Sequence, residues 1–324
     1  MTRRAHQEGA ALLTVLLLTA TLAVLAVAMT EVVTRALARA SAAAARDQAF
    51  WALYGLESAA LDYLERQGAE IDRPDAPLFA APVVLPFEGG RATITFRERS
   101  NCFNVNDLVD FGGDGTVADE AAAARFAALV TALGGNRSGG QQLAARITDF
   151  IDADRRAQAG GAEDYDYARH EVPYRTPGSI LVSPSEMRAI AGFSRDVYRS
   201  LLPYLCTPPL DGPQVLNVNT LTPAHAPLLA AVTDNAVNPA LAARVIAQRP
   251  EAGYDEAADF LAHPLLQGVD LPSDTPTFVG TQSRLIAMEM VLESEIGRIR
   301  QESVLFRDRG RVAVLERRVG ERLP

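Results

Sequence analysis

Lysine is absent from the 324-residue chain, so every fixed side-chain positive charge is an arginine. Cysteine occurs twice, at Cys102 and Cys206, and histidine four times. That supply is too small for a transition-metal cluster, which needs several soft or imidazole ligands in one place. Basic charge is also in deficit: 31 arginines face 40 acids, for a net charge of −9. Such a balance repels phosphate and argues against a general nucleic-acid binder. There is no nucleophile elbow, zinc-binding HExxH or phosphate loop, and His6, His170, His225 and His263 lie in unrelated contexts. We therefore expect a protein without enzymatic activity.

The most informative absences lie near the start. No charged residue occurs from Ala10 to Thr30, and no proline or glycine interrupts the chain from Ala10 to Tyr54. About 20 apolar residues at 1.5 Å each reach roughly 30 Å, enough to cross a bilayer as a helix. The preceding leader, Met1 to Gly9, carries Arg3 and Arg4. Basic flanks stay cytoplasmic, which places the remainder across the membrane. Three readings of the segment compete. Ala26-Val27-Ala28 before Met29 has the form of a secretory cleavage site. A plain membrane anchor is the second. The third is a prepilin-type signal, cut between Gly9 and Ala10, which leaves the apolar helix on the mature protein.

Two features favour the third reading. The charged leader ends at a glycine, and the helical pattern runs on unpunctuated beyond the apolar segment. Ala49, Leu53, Leu56, Ala60 and Leu64 recur at three- and four-residue spacing. That spacing predicts an amphipathic face for packing on a globular head. Phe50, Trp51 and Tyr54 cluster beside it, and core or subunit packing is expected of them. One helix of about 55 residues, half in lipid and half on a head, is the layout of a pilin.

What is present further along is ample apolar material, 48% of the chain, enough for one large domain or two modest ones. After a Pro-rich connector, Arg73 to Pro86, residues 91–97 alternate, with Ala92, Ile94 and Phe96 on one face. This predicts a half-buried strand. Residues 102–276 read as helices separated by Gly, Pro and Asp clusters. Alternation returns near 285–292 and 311–316, although Glu289 to Glu302 is rich enough in helix formers to suit a helix. Ser183-Pro184-Ser185-Glu186 reads as a helix N-cap with acidic first-turn support.

An internal echo runs through the helical stretch. Asn104-Val105-Asn106-Asp107-Leu108 returns as Asn217-Val218-Asn219-Thr220-Leu221, and Leu143-Ala144-Ala145-Arg146-Ile147 as Leu241-Ala242-Ala243-Arg244-Val245. We expect two related helical units. Helical hairpins of this kind grip DNA phosphate through glycine-rich turns. The turn at 233–239 has no glycine and carries Asp234, so no nucleic acid is expected there.

The densest acidic stretch holds Asp149, Asp152 and Asp154, then Glu163, Asp164 and Asp166 beyond Gly160-Gly161. Calcium takes six to eight oxygen ligands, and these carboxylates are candidate donors. A solvated loop is the alternative. Asp110 to Thr116 matches part of an EF-hand loop, but position 12 is Ala121, so a glycine-rich turn is expected.

The segment Gln7-Glu8-Gly9-Ala10-Ala11-Leu12-Leu13-Thr14-Val15-Leu16-Leu17 resembles the start of component K, a minor pseudopilin of the bacterial type II secretion system. Cys102 to Leu108, Phe150 to Asp154 with Gly161 to Asp164, Val172-Pro173-Tyr174 and Leu216 to Thr220 resemble that family in its own order. The resemblance implies an α+β pilin-like fold with a large helical domain inserted between the strands of a small antiparallel sheet. The expected divisions are a leader at 1–9, a membrane-spanning part at 10–30, and a pilin-like helix and first strands at 31–101. The inserted domain follows at 102–276, and the returning strands at 277–324.

It also implies a place at the filament tip, beside components I and J, capping or initiating the pseudopilus. Prepilin peptidase would be the processing enzyme, and secreted substrates or the outer-membrane channel are possible contacts. Most pilins carry glutamate at the fifth mature position, where this chain has Thr14. A buried acid in lipid is costly without a partner, and a tip subunit has no predecessor to supply one. The resemblance favours structural calcium at the acidic stretch. In an exported region Cys102 and Cys206 are expected to pair, with two separate buried thiols as the alternative. The rival functions are a minor pilin of a type IV pilus and a secreted calcium-stabilised binding protein with a cleaved signal.

Overall fold

The computed structural model describes residues 3–87, 90–112, 115–210, 212–294 and 297–320, with the backbone alone for 3–10, 87, 111–112 and 115–116. Helix α1, Arg3–Gln67, is continuous over 65 residues. Rich in alanine and leucine and free of proline, it tolerates Gly55 in its interior and ends at the turn at Gly68, whose φ is +55°. It is the one described helix long and apolar enough to cross a membrane, with mean hydropathy 2.6 in its most apolar window and none of that window buried. The stretch Ala26 to Met29 lies inside this helix.

The other half of α1 is covered. Ala49, Leu53, Ala60 and Leu64 face a five-stranded sheet and meet Ala92, Ile94, Phe96, Met288 and Met290. Full burial of a leucine such as Leu64 contributes about 2 kcal/mol. Phe50, Trp51 and Tyr54 lie off this stripe and are exposed, Trp51 at 66%. They therefore take no part in this chain's own core. The helical period puts Trp51 nearly opposite Leu53 and leaves Phe50 and Tyr54 on its two flanks, where Arg317 of the sheet lies over the Tyr54 ring.

The sheet consists of β1 Val83–Phe87, β2 Gly90–Glu98, β3 Leu285–Ser294, β4 Gly297–Asp308 and β5 Arg311–Val319. All neighbours are antiparallel and in sequence order, so it is a meander cut open between β2 and β3. Two details differ from the sequence reading. The Pro-rich connector ends in a strand: Pro86 is tolerated in β1 because that strand is at the sheet's edge. Leu285–Ser294 and Gly297–Asp308 are two long strands where a helix was the alternative, since cross-strand pairing from Gly90↔Ser294 to Glu98↔Ile286 outweighs local helix preference.

Glu57 of α1 is 2% exposed and accepts hydrogen bonds from Gln301 Nε2 (3.0 Å) and Ser303 Oγ (2.5 Å), and pairs with Arg317. A buried carboxylate needs such partners, so this contact fixes the height of α1 on the sheet.

The insertion leaves and rejoins the sheet at one polar junction. Arg99 N donates to Leu285 O, and Ser100 Oγ accepts from the N–H groups of Arg284 and Leu285. Asp72 accepts from Ser283 N and from Arg307. The insertion's main helices are α2 Glu120–Ala132, α3 Arg137–Ile151, α4 Arg195–Leu201, α5 Ala226–Val232, α6 Pro239–Ala247 and α7 Ala257–Leu261. Val279–Gly280 pairs in parallel with Leu216–Asn217, so residues just past 276 belong to the insertion, and the first returning strand starts at Leu285.

Candidate functional site

The acidic stretch begins at the end of α3. Asn136 caps that helix by accepting from Gly139 N, and α3 stops at Ile151, where Asp152 turns extended. Asp149, on the last helical turn, is buried and accepts from Gln158 N with both oxygens at 3.2 Å. The loop must come close for this. A Cβ on Gly161 would lie 1.8 Å from Asp149 Oδ2, so only glycine fits there. Glu163 and Asp166 form a reciprocal capping box on the single helical turn Asp164–Tyr167. Asp164 Oδ1 accepts from the N–H and hydroxyl of Thr176.

The six predicted acids thus divide. Asp152, Asp154 and Glu163 bring one carboxylate oxygen each to within 4.8 Å of one another. Asp149, Asp164 and Asp166 lie outside this trio and accept from the loop's backbone, as Asp154 also does from Arg156 N and Glu163 from Asp164 N. Asp152 Oδ1 and Glu163 Oε1 are buried without a hydrogen-bond partner. Orphaned carboxylate oxygens are rare in folded proteins, and a hard cation is the species that satisfies several at once. Burial, reinforced by the neighbouring carboxylates, raises Asp152 to about 6 and Glu163 to about 7. Burial likewise raises Asp149 to about 6.

Beyond the loop, Tyr167 is fully buried against Phe150 and Tyr174, and its hydroxyl accepts from Ala191 N. Ser183 and Glu186 form the capping box that their spacing predicts, on the short 3-10 turn Pro184–Ala189. The alternative loop at Asp110 is a hairpin of Val109–Gly112 with Gly115–Ala118; Asp114 lies outside the described residues.

Cys102 and Cys206 are joined, with Cα atoms 5.8 Å apart. The bond sits beside the parallel pairing of Phe103–Asn104 with Leu205–Cys206, and so ties the two ends of the first helical unit. The histidines within the head have local work. His225 Nδ1 accepts from Thr222 N, His263 Nδ1 accepts from Leu265 N, and His170 stacks on Tyr167.

At the start of the chain, Gly9 and Ala10 lie within the backbone of α1, their side chains outside the described set. Thr14 is exposed, and its hydroxyl donates to Ala11 O at 2.8 Å within the helix. The polar group at the fifth position after Gly9 is therefore satisfied by its own helix. Two residues escaped sequence reasoning. Glu57 and Asp72 anchor α1 and its C-terminal turn, and only an acid at an otherwise apolar helical position hinted at the first.

Comparison with known proteins gives the same assignment along the whole chain. Two family models, both described as type II secretion system (T2SS), protein K, match residues 101–210 and 216–281. A type II secretion system protein K of Klebsiella pneumoniae is 33% identical over 322 residues, covering 97% of each chain. That of Pectobacterium carotovorum subsp. carotovorum is 35% identical over 260 residues, 78% of each. A chain of the GspK-GspI-GspJ complex from the enterotoxigenic Escherichia coli type 2 secretion system superposes with a TM-score of 0.73. It is 26% identical, with 88% of this chain and all of that one covered. The protein belongs to the type II secretion system protein K family and is a minor pseudopilin of that system.

Proposed function

We propose that this minor pseudopilin is the non-enzymatic tip subunit of the pseudopilus. It would be held in the inner membrane by α1, with its head in the periplasm, and assembled with components I and J. The observation that carries the reading is Thr14, a neutral residue whose hydroxyl bonds to Ala11 O of its own helix. A shaft subunit's acid in lipid requires a charge from the preceding subunit; Thr14 requires none. The relative solved as a GspK-GspI-GspJ complex supports I and J as the neighbours. Prepilin peptidase would cut between Gly9 and Ala10, leaving the helix attached. The exposed row of Phe50, Trp51 and Tyr54 is then available for apolar packing beside neighbouring helices.

The helical head would hold a structural calcium ion through Asp152, Asp154 and Glu163; the orphaned oxygens of Asp152 and Glu163 suit a hard cation, and exposed Asp154 converges on them. Calcium there supplies positive charge that offsets three converging carboxylates and fixes the loop to the end of α3. Mass spectrometry of the mature chain tests the processing step: a start at Ala10 supports it, and a start at Met29 makes the protein a secreted one and excludes the tip reading. Chelation with EGTA tests the ion. A bound ion at about a hundredfold its Kd stabilises by about 2.7 kcal/mol, so Tm should fall on chelation and recover on adding calcium. An unchanged Tm removes the calcium site.

A further inference from the structure

The sheet face turned away from α1 borders a long groove. Its floor is formed by β4 and β5 and its wall by residues 180–209 of the first helical unit, and it encloses about 1710 Å³. Small-molecule sites are typically roughly 300–1,000 Å³, so this space has the scale of a polypeptide segment.

The groove is basic in an acidic molecule. Arg188, Arg195 and Arg199 line the wall, and Arg300 and Arg318 the floor, against Glu302 and Glu316. The whole chain carries −9. On the floor the charges are already matched: Arg300 pairs with Glu289 and Arg318 with Glu316. Arg318 also donates to Val182 O, joining floor to wall. On the wall they are not. Arg188, Arg195 and Arg199 are exposed and make no ion pair among the described residues.

Arg195 and Arg199 are moreover four residues apart on α4. Like charges at that spacing disfavour a helix by about 0.2–0.5 kcal/mol. Arg199 alone, in the last turn and three residues after Asp196, favours it, so the pairing with Arg195 is what local stability does not explain. Apolar surface lies between the arginines: Val182 is 65% exposed and Leu202 38%. Leu315, Glu316, Arg318 and Val319 of β5 line the groove, and β5 is the last strand of the sheet, whose outer edge has no strand partner among the described residues.

We propose that this groove binds an extended, acidic segment of a partner protein. Its carboxylates meet the planar forks of Arg188, Arg195 and Arg199, a geometry that suits guanidinium. Its apolar side chains rest on Val182 and Leu202, and its backbone runs along the edge of β5 as an added strand. A walled groove excludes the flat surface of a bilayer, and the arginines exclude a basic or neutral strand. The inference goes beyond the tip assignment and is independent of calcium.

The test uses the full chain in detergent micelles. A fluorescent peptide of about twelve residues alternating glutamate and valine is titrated by anisotropy, with a glutamine–valine peptide as control. Binding of the acidic peptide alone, weakening with salt, is expected. The double variant R188E/R199E should weaken it by about tenfold or more, because two attractive pairs become repulsive. R244E, an exposed arginine on α6 in the second unit, should leave it unchanged. These surface substitutions leave the core intact, and hydrogen exchange with peptide bound should protect residues 180–209 and β5. Equal binding of both peptides, equal loss in R244E, or protection elsewhere overturns the proposal. So does binding restricted to anionic vesicles or to a second copy of the chain.

Discussion

The inserted domain is one design used twice, and the two copies are held together differently. In residues 101–210, Asn104 Oδ1 accepts from Asn106 N, and Asn106 grips the backbone N–H and carbonyl of Leu181. In residues 216–281, Asn217 Oδ1 accepts from Asn219 N, and Asn219 grips the same two groups of Tyr254. Each Asn corner starts from a short parallel pairing with the end of its own unit. A Glu–Asp capping box follows in both, Glu163 with Asp166 and Glu256 with Asp259. The first unit adds a disulfide and a loop of some thirty residues without helices longer than one turn, from Asp152 to Leu181. The second spans fewer residues and closes on the aromatic pair Tyr254 and Phe260. A short unit closes on its own side chains; a long loop with little core of its own depends on a covalent bond and, we propose, an ion.

Four experiments would break or sharpen that contrast. The largest effect is expected from replacing Cys102 and Cys206 by alanine. The bond closes a loop with a sequence separation of 104, for which the chain-entropy model gives about 4.7 kcal/mol. Hydrogen exchange should accelerate in the first unit and in part of α5, whose Leu228 and Ala231 share its core, and protection in α6 should persist. If both units loosen together, they fold as one body and the contrast fails.

Next come the paired corners. N106A and N219A should each cost about 3 kcal/mol in denaturant melts, because each leaves a buried N–H and carbonyl without partners. Similar losses sharpen the equivalence; a cheap substitution in one unit denies it.

The third exploits the one corner residue that differs. Asp107 in the first unit stands where the second has Thr220. Burial raises Asp107 to about 6, although Gln214 N and Asn104 donate to it. The folded state therefore binds this proton more tightly than the unfolded chain. Its contribution is fully present below about pH 4 and is lost as pH rises to about 6, by at most about 3 kcal/mol. D107N should flatten that part of the stability–pH profile, and an undiminished slope would assign it to other groups. The smallest effect belongs to Arg137 and Asp234, an exposed ion pair between the units. R137A should change stability by about 0.5 kcal/mol or less and leave both units folded, as a Tm measurement would show.

Particular residues show where sequence reading succeeds and where it stops. The 3.6-residue period of Ala49, Leu53, Ala60 and Leu64 and the two-residue period of Ala92, Ile94 and Phe96 were both legible, because periodicity is local. The repeated Asn-Val-Asn corner was visible too, since its turn is made within three residues. Strand β1 was hidden by Pro86; alternation marked β3, but helix-forming residues left a helix open as its alternative, and the partner that decides between them lies some two hundred positions away. The acidic stretch was found as a composition. Which three of its six carboxylates converge was not, because Glu163 meets Asp152 and Asp154 only once the loop has folded back onto the end of α3.

By itself the sequence determined the long α1, the neutral Thr14 and the presence of two related helical units. Each rests on neighbours along the chain, where spacing alone fixes geometry. Tertiary structure decided the rest: the register of Glu57 on the sheet, the meeting of Asp152, Asp154 and Glu163, and the basic groove between α4 and β5. Those depend on contacts between residues far apart in sequence, which become neighbours only after the sheet has closed around its insertion.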